Sequence, residues 1–409
     1  MQDREYIETI EWLFNQFPAY HKIGATAYKP DLENCSRLAS YFNNPQNHLK
    51  FVHIAGTNGK GSTSSMLASI LQESSEKVGL FTSPHIEDFR ERIRINGEMI
   101  SEADVIDFCL ELKSLNLSFE PSFFEITWVM ALVFFSRKKC TICVIETGLG
   151  GRLDATNLIT PILSIITNIG LEHTNFLGDT VEKIAFEKAG IIKSTIPVIV
   201  GETTSQTKSV FEEIARVNKS ELFFAEEITT PIPVDFPLIG EYQKKNFKII
   251  ETAIPILRSI GFSIDGIHIH NGLIHISKNT GFRGRMQIIN HSPLTIIDVS
   301  HNFDGIKATL ESVENLCPGN LHIVYGTSSD KDLKSIFTLF PEKARYYFTE
   351  FSNERSAKME ELQAKSKAFK LSGQFFKNPK EALKQAEDSA NKEDTILVFG
   401  SFFLISDFF

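Results

Sequence analysis

Long apolar runs are missing from this chain. No stretch reaches the roughly 18 residues that a membrane-spanning helix requires, so no span and no membrane partner are expected. Cysteine is scarce, five in 409 residues, which excludes a disulfide framework and fits a reducing compartment. An excess of positive charge is absent as well: 42 Lys and Arg stand against 51 Asp and Glu, a formal charge of -9. That balance argues against a nucleic-acid partner. No leader-like segment precedes the first helical pattern, so the cytoplasm is the expected location. No Ser-His-Asp or Cys-His arrangement is recognisable, which argues against a covalent enzyme intermediate. Cys140 and Cys143 form a C-x-x-C inside an apolar run; on a strand, residues three apart face opposite sides. They are therefore read as core residues that cannot share a metal.

What is present is an ordinary globular composition, 42% hydrophobic and 23% charged, over a length that suggests two domains. The 34 phenylalanines are read as core filling. The most informative segment is Phe51-Val-His-Ile-Ala-Gly-Thr-Asn-Gly-Lys-Gly-Ser-Thr63. A short apolar run stops in a glycine-rich turn, and an amphipathic stretch with Met66, Leu67, Ile70 and Leu71 follows. Strand, glycine loop and helix together aim backbone N–H groups at one anion, and Lys60 adds a point charge. This predicts a nucleoside triphosphate site. The loop departs from G-x-x-x-x-G-K-[ST] twice: Ile54 holds the first glycine position, and Gly61 directly follows Lys60.

Short apolar runs at 51–55, 78–82, 141–147, 163–169 and 197–200 alternate with helical patterns near 62–76, 101–115, 124–137 and 181–192. This is the rhythm of a mostly parallel sheet flanked by helices. Later runs at 295–298, 321–325, 344–349 and 395–399 predict a second, smaller α/β domain of Rossmann-like type. The expected division is 1–280 and 288–409, with a turn-rich linker at about 281–287. Signals across 202–240 are weak, and prolines 231–237 suggest an irregular connection. Several strands end in polar residues or glycine, which would converge on one crevice. Glu146, at such a strand end before Gly148-Leu-Gly-Gly151, suits a Mg²⁺ ligand. His173 and Ser83, beyond neighbouring strands, could join it. Asp298 and His301 stand at the end of the second domain's first strand, and Arg285 lies at the junction.

The motifs taken together resemble the Mur ligase superfamily and, within it, the folylpolyglutamate synthase/dihydrofolate synthase family. The resemblance is carried by Gly56–Ser62, Ser83-Pro-His85 with Phe89-Arg-Glu-Arg92, Glu146–Asn157, Leu171-Glu-His173 with Phe186–Gly190, and Asp298–Asn302. It implies an ATP-dependent ligase that adds L-glutamate to dihydropteroate and to reduced folates through an acyl phosphate, as a monomer. The bifunctional type is favoured over a monofunctional folylpolyglutamate synthase. A cell-wall ligase is disfavoured because the loop begins by residue 56, and a P-loop kinase because the Walker pattern is broken.

Residue roles follow from the same resemblance. Thr57, Asn58, Gly59, Lys60, Gly61 and Ser62 match the ATP loop. Ser83, Glu146 and His173 match Mg²⁺ ligands, and Lys188 matches a lysine that becomes carbamylated. Asn246, Arg285, Asp298 and His301 match nucleotide contacts. The pterin side falls on Tyr28, Lys29 and Pro30, on Ser122, Phe123, Phe124 and Glu125, and on Leu153, Asp154 and Ala155. The chain departs from the family at Tyr242, where His is common, at Arg283-Gly-Arg285 for Pro-Gly-Arg, at Ser300 for Ala, and at Tyr28-Lys-Pro30.

Overall fold

The computed structural model describes residues 2–17, 31–228, 233 and 235–409, leaving aside the side chains of residues 2 and 3. The expected pterin contacts Tyr28, Lys29 and Pro30 lie outside these residues. Two compact units are formed: Met1–Val234 with Lys245–Gly281, and Asp235–Lys244 with Phe282–Phe409. The second unit thus takes in a ten-residue segment well upstream of 281–287. Among the described residues, no helix is long and apolar enough to cross a membrane.

The first unit is built on eight strands: β1 (Phe51–Ala55), β2 (Val78–Phe81), β3 (Ile93–Ile95), β4 (Glu98–Met99), β5 (Ile142–Glu146), β6 (Leu163–Ile166), β7 (Val198–Val200) and β8 (Leu222–Phe224). Their order is β4-β3-β2-β5-β1-β6-β7-β8. Pairing from β2 to β8 is parallel, and β3 and β4 add antiparallel strands at one edge. Strands β1, β5 and β6 are buried throughout, as continuous apolar strands covered on both faces should be. One cluster around Trp128, Phe81 and Phe108 packs one side; another around Ile166, Ala185 and Phe211 packs elsewhere in the unit. Because β1 lies between β5 and β6, the chain reverses its direction of travel across the sheet there. Such a switch point opens a crevice beyond the carboxyl ends of the strands.

The second unit has six strands: β9 (Gln287–His291), β10 (Leu294–Asp298), β11 (Leu321–Tyr325), β12 (Arg345–Thr349), β13 (Gly373–Phe376) and β14 (Thr395–Phe399). Their order is β13-β12-β11-β14-β10-β9, parallel except for β9. Phe337, Phe340, Phe348 and Phe399 ring the buried Tyr325 and form the centre of its core.

Two expectations are corrected. The weak-signal stretch 202–240 contains the helix Ser205–Asn218 and strand β8; Thr204 caps the helix, its side chain accepting the N–H of Thr207. Cys140 precedes β5, which begins at Ile142, so strand alternation does not govern it. Cys140 and Cys143 are both buried, as core residues should be.

Candidate active site

The register Ile54↔Glu146 sets the end of β5 beside the last turn of β1, two residues before the glycine loop. Gly59 adopts φ +83°, a left-handed conformation, and the helix Lys60–Glu73 starts directly from it. This is why the helix begins at Lys60, ahead of the Ser62 expected from periodicity. A Cβ on Gly59 would come within 2.4 Å of Asn246 Oδ1, so Asn246 lies against the loop. The loop is tied to the segment after β6. Thr57 N and Asn58 N donate to the carbonyl and side chain of Asn168 at 3.0 and 2.9 Å. Thr167 Oγ1 donates to Asn58 O at 2.5 Å, and Gly170 N donates to Thr57 Oγ1 at 2.9 Å.

Two ammonium groups meet one carbonyl. Lys60 Nζ donates to Gly56 O at 3.1 Å and to Thr57 O at 3.2 Å, while Lys188 Nζ donates to the same Gly56 O at 2.8 Å. Lys188 is 4% exposed, on the last turn of the helix Val181–Ala189. Burial first, and then the charge of Lys60, lower its pKa to about 7; Glu172 and Asp154 act in the opposite direction. Its helix is fixed to the turn after β5: Arg152 N donates to Glu187 O at 2.7 Å, and Asn157 Nδ2 to Gly190 O at 3.0 Å.

Glu146 is 4% exposed, and its Oε2 accepts the N–H of Ser83 at 3.1 Å. The next residue, Thr147, buries its Oγ1 without a hydrogen-bond partner. Carboxylate and hydroxyl oxygens at one strand end are the donor set of a hard divalent cation, so the residues present fit Mg²⁺. Among the described residues no cluster of three or more His, Cys, Asp or Glu forms a closed metal cage. His173 takes the left-handed conformation (φ 53°) on the loop after β6, one-third exposed, with Nε2 4.0 Å from Glu172.

The expected pterin residues fall into two groups. Ser122 and Glu125 are a capping box at the start of the helix Phe123–Arg137, Glu125 Oε2 accepting Ser122 N–H at 2.6 Å. Phe124 packs on Phe81, ring centroids 5.8 Å apart, and covers Gly148, where a Cβ would fall 2.5 Å from its Cζ. The second group closes the turn after β5. Asp154 accepts from Leu149 N at 2.7 Å and Thr156 N at 3.0 Å, and from the Thr156 hydroxyl. Burial raises the Asp154 pKa against those bonds. Ala155 O accepts the buried Cys35 thiol, and Leu153 is half-buried beside them.

Within the second unit, Asp298 ends β10 with both oxygens engaged. Oδ2 accepts from Tyr242 OH and Met286 N, each at 2.8 Å; Oδ1 accepts from Ser300 N at 2.8 Å and Thr309 Oγ1 at 3.2 Å. A carboxylate has about four acceptor sites, so Asp298 organises its surroundings and has none to spare for a direct nucleotide contact. Arg285 lies over the rings of Phe282 and Phe402, and His301 meets Phe402 edge-on at 5.7 Å.

Two family descriptions match the chain: the Mur ligase middle domain over residues 54–250, and the Mur ligase glutamate ligase domain over 284–402. A dihydrofolate synthase/folylpolyglutamate synthase of Buchnera aphidicola is 33% identical over 368 residues, 88% of this chain and 87% of that protein. The chain belongs to the folylpolyglutamate synthase/dihydrofolate synthase family. It spans about half the length of another relative, a probable bifunctional folylpolyglutamate synthase/dihydropteroate synthase of Haloferax volcanii, at 33% identity over 98% of the chain. Solved structures agree. Escherichia coli FolC in complex with DHPP and ADP superposes with a TM-score of 0.84 at 28% identity, covering 98% of this chain and 96% of that one. The bifunctional enzyme of Yersinia pestis, complexed with AMPPNP and Mn ion, gives 0.81 at 26%, covering 93% of each chain.

Folate-branch membership accounts for the broken Walker pattern, and the structure gives one departure a physical role. Tyr242, in place of the usual His, reaches Asp298 through its hydroxyl. Three contributors had no individual role in the sequence: Asn168, which pins the loop, and Thr147, whose hydroxyl has no partner among the described residues, stood there only as polar strand ends, and Arg92, buried near Glu146, only as part of a motif. Asn168 and Thr147 follow strand ends and were legible by that signal. Arg92 had none beyond its place in the Phe89–Arg92 motif.

Proposed function

We propose that this ligase joins L-glutamate to dihydropteroate and extends the glutamate tail of reduced folates, converting ATP to ADP and phosphate. The observation that carries the reading is the convergence at Gly56: a phosphate-type loop, Glu146 beside it and the buried Lys188 amine on its carbonyl. The loop amides and Lys60 receive the ATP phosphates at the helix N-terminus. Ser83, Glu146, Thr147 and His173 are assigned to Mg²⁺, which when bound neutralises charge on the transferred phosphoryl group. Lys188, with a pKa near 7, presents a large fraction of free amine at neutral pH. A free amine adds to CO₂ and releases a proton, which makes Lys188 an anion able to support metal binding.

The acceptor carboxylate attacks the γ-phosphorus, ADP departs, and an acyl phosphate remains. The amine of glutamate then attacks the acyl carbon and phosphate leaves. Phe124 and the Asp154–Ala155 turn are assigned to the pterin side. Asn246, Arg285 and His301 are assigned to the nucleotide, with Asp298 positioning its own segment. A cytoplasmic monomer with ordinary two-domain organisation completes the proposal.

Glu146→Gln tests the site directly, with ATP, dihydropteroate and glutamate supplied. Ligation should fall by at least about 100-fold, as loss of a metal-holding charge demands. Unchanged ligation would remove Glu146 from the chemistry.

A further inference from the structure

Arg92 ends the short turn Phe89–Arg92 beyond β2, where its carbonyl accepts Thr82 N–H at 3.1 Å. The residue is only 5% exposed. A guanidinium carries five N–H donors. Among the described residues, Arg92 uses one, from Nε to His85 Nδ1 at 2.8 Å. Among those residues it closes no ion pair. Glu146 and Glu91 act on it only as charges through space, and burial lowers its pKa to about 10, which leaves it cationic at neutral pH. The Phe123 ring lies under it, 5.6 Å from Cζ to centroid.

A buried cation without an ion-pair partner is costly to keep in a folded protein. The cost is offset when an anion arrives from outside, and the position of Arg92 selects which anion. Against it lies Phe123, neighbour of Phe124, which covers Gly148. Near enough to act on its charge is Glu146, at the strand end beside the phosphate loop. Lys60 and Lys188 already serve the phosphate side through Gly56. The remaining anion that must come between an aromatic-lined segment and Glu146 is the carboxylate of the acceptor.

We propose that Arg92 binds the acceptor carboxylate, with His85 fixing the plane of the guanidinium. This rests on the ligase reading above. Its Nη groups take the carboxylate, as planar guanidinium groups do, and screen it from the negative charge of Glu146.

The test compares dihydropteroate with its carboxamide, which keeps the rings and removes the charge. Equilibrium binding of both is measured for wild type, Arg92→Met and Arg92→Lys, with ADP binding as a check that the loop is intact. Wild type should prefer the acid. Arg92→Met should weaken acid binding by roughly 10- to 100-fold, the worth of a charged hydrogen bond, and leave the carboxamide unchanged. Arg92→Lys should recover part of the preference. An Arg92→Met protein that still prefers the acid as wild type does overturns the proposal. So does equal loss of acid and carboxamide in both variants, the mark of a purely structural role. In either case, wild type that ligates glutamate to dihydropteroate leaves the function standing. Wild type that binds neither ligand overturns the function, and this proposal with it.

Discussion

Lys188 and His53 show how burial, reinforced by a nearby lysine, sets the charge of a side chain. Lys188 lies on a carbonyl beside a second lysine, and its pKa near 7 makes the amine available to CO₂. Activity should therefore fall after dialysis below pH 6 in CO₂-free buffer and return with bicarbonate at pH 8. Lys188→Ala should lose at least about 100-fold, and a short-chain carboxylic acid should restore part of it. Full activity of that variant without rescue would refute the role. His53 lies mid-strand on β1, fully buried, Nε2 against Thr156 Oγ1 at 2.9 Å, and burial lowers its pKa to about 3. The folded chain keeps it neutral while the unfolded chain protonates it near its ordinary value of about 6.5. Stability is thus insensitive to His53 above pH 6.5 and falls as pH drops from 6.5 toward 3, by on the order of 5 kcal/mol at the limit. Urea midpoints between pH 6.5 and 5 should fall more steeply for wild type than for His53→Gln. Lys60 and Glu146 stood out in the sequence by their places in a glycine loop and at a strand end, whereas Lys188 was reached only through the family resemblance. The isolation of the Arg92 charge was not legible there, since it depends on what fails to pack beside it.

The loop is the element on which most of the chemistry turns, and it tolerates little change. Gly59 has a left-handed φ and Asn246 against its Cα. Gly59→Ala should weaken ADP binding by about 100-fold or more, since strain of 1–3 kcal/mol adds to a steric clash. Calorimetric titration with ADP checks this, and wild-type affinity would contradict it. Central strands were legible as apolar runs because both faces are covered. Strands at or next to a sheet edge were not: β3, β4, β8, β9 and β13 are all partly exposed, so their patterns look like loop. The helix Ser205–Asn218 was hidden for another reason. Its amphipathic pattern sits in a polar sequence where the Thr204 cap is the clearest signal.

Across the molecule, alternating strands and helices revealed two α/β sheets, but not which residues each unit recruits. Asp235–Lys244 joins the second unit through Ile239 and Tyr242, which pack on its core, and through the bond from Tyr242 to Asp298. No local pattern announces that long-range choice. The helix Glu241–Ser259 accordingly carries Tyr242 in one unit and Asn246 in the other. The proposed reaction is tested most directly by ADP release. With ATP, Mg²⁺ and L-glutamate present, ADP should appear in equal amount to new glutamate amide when dihydropteroate is added, and again with tetrahydrofolate. ADP release with a UDP-muramyl acceptor and none with either pterin would contradict it.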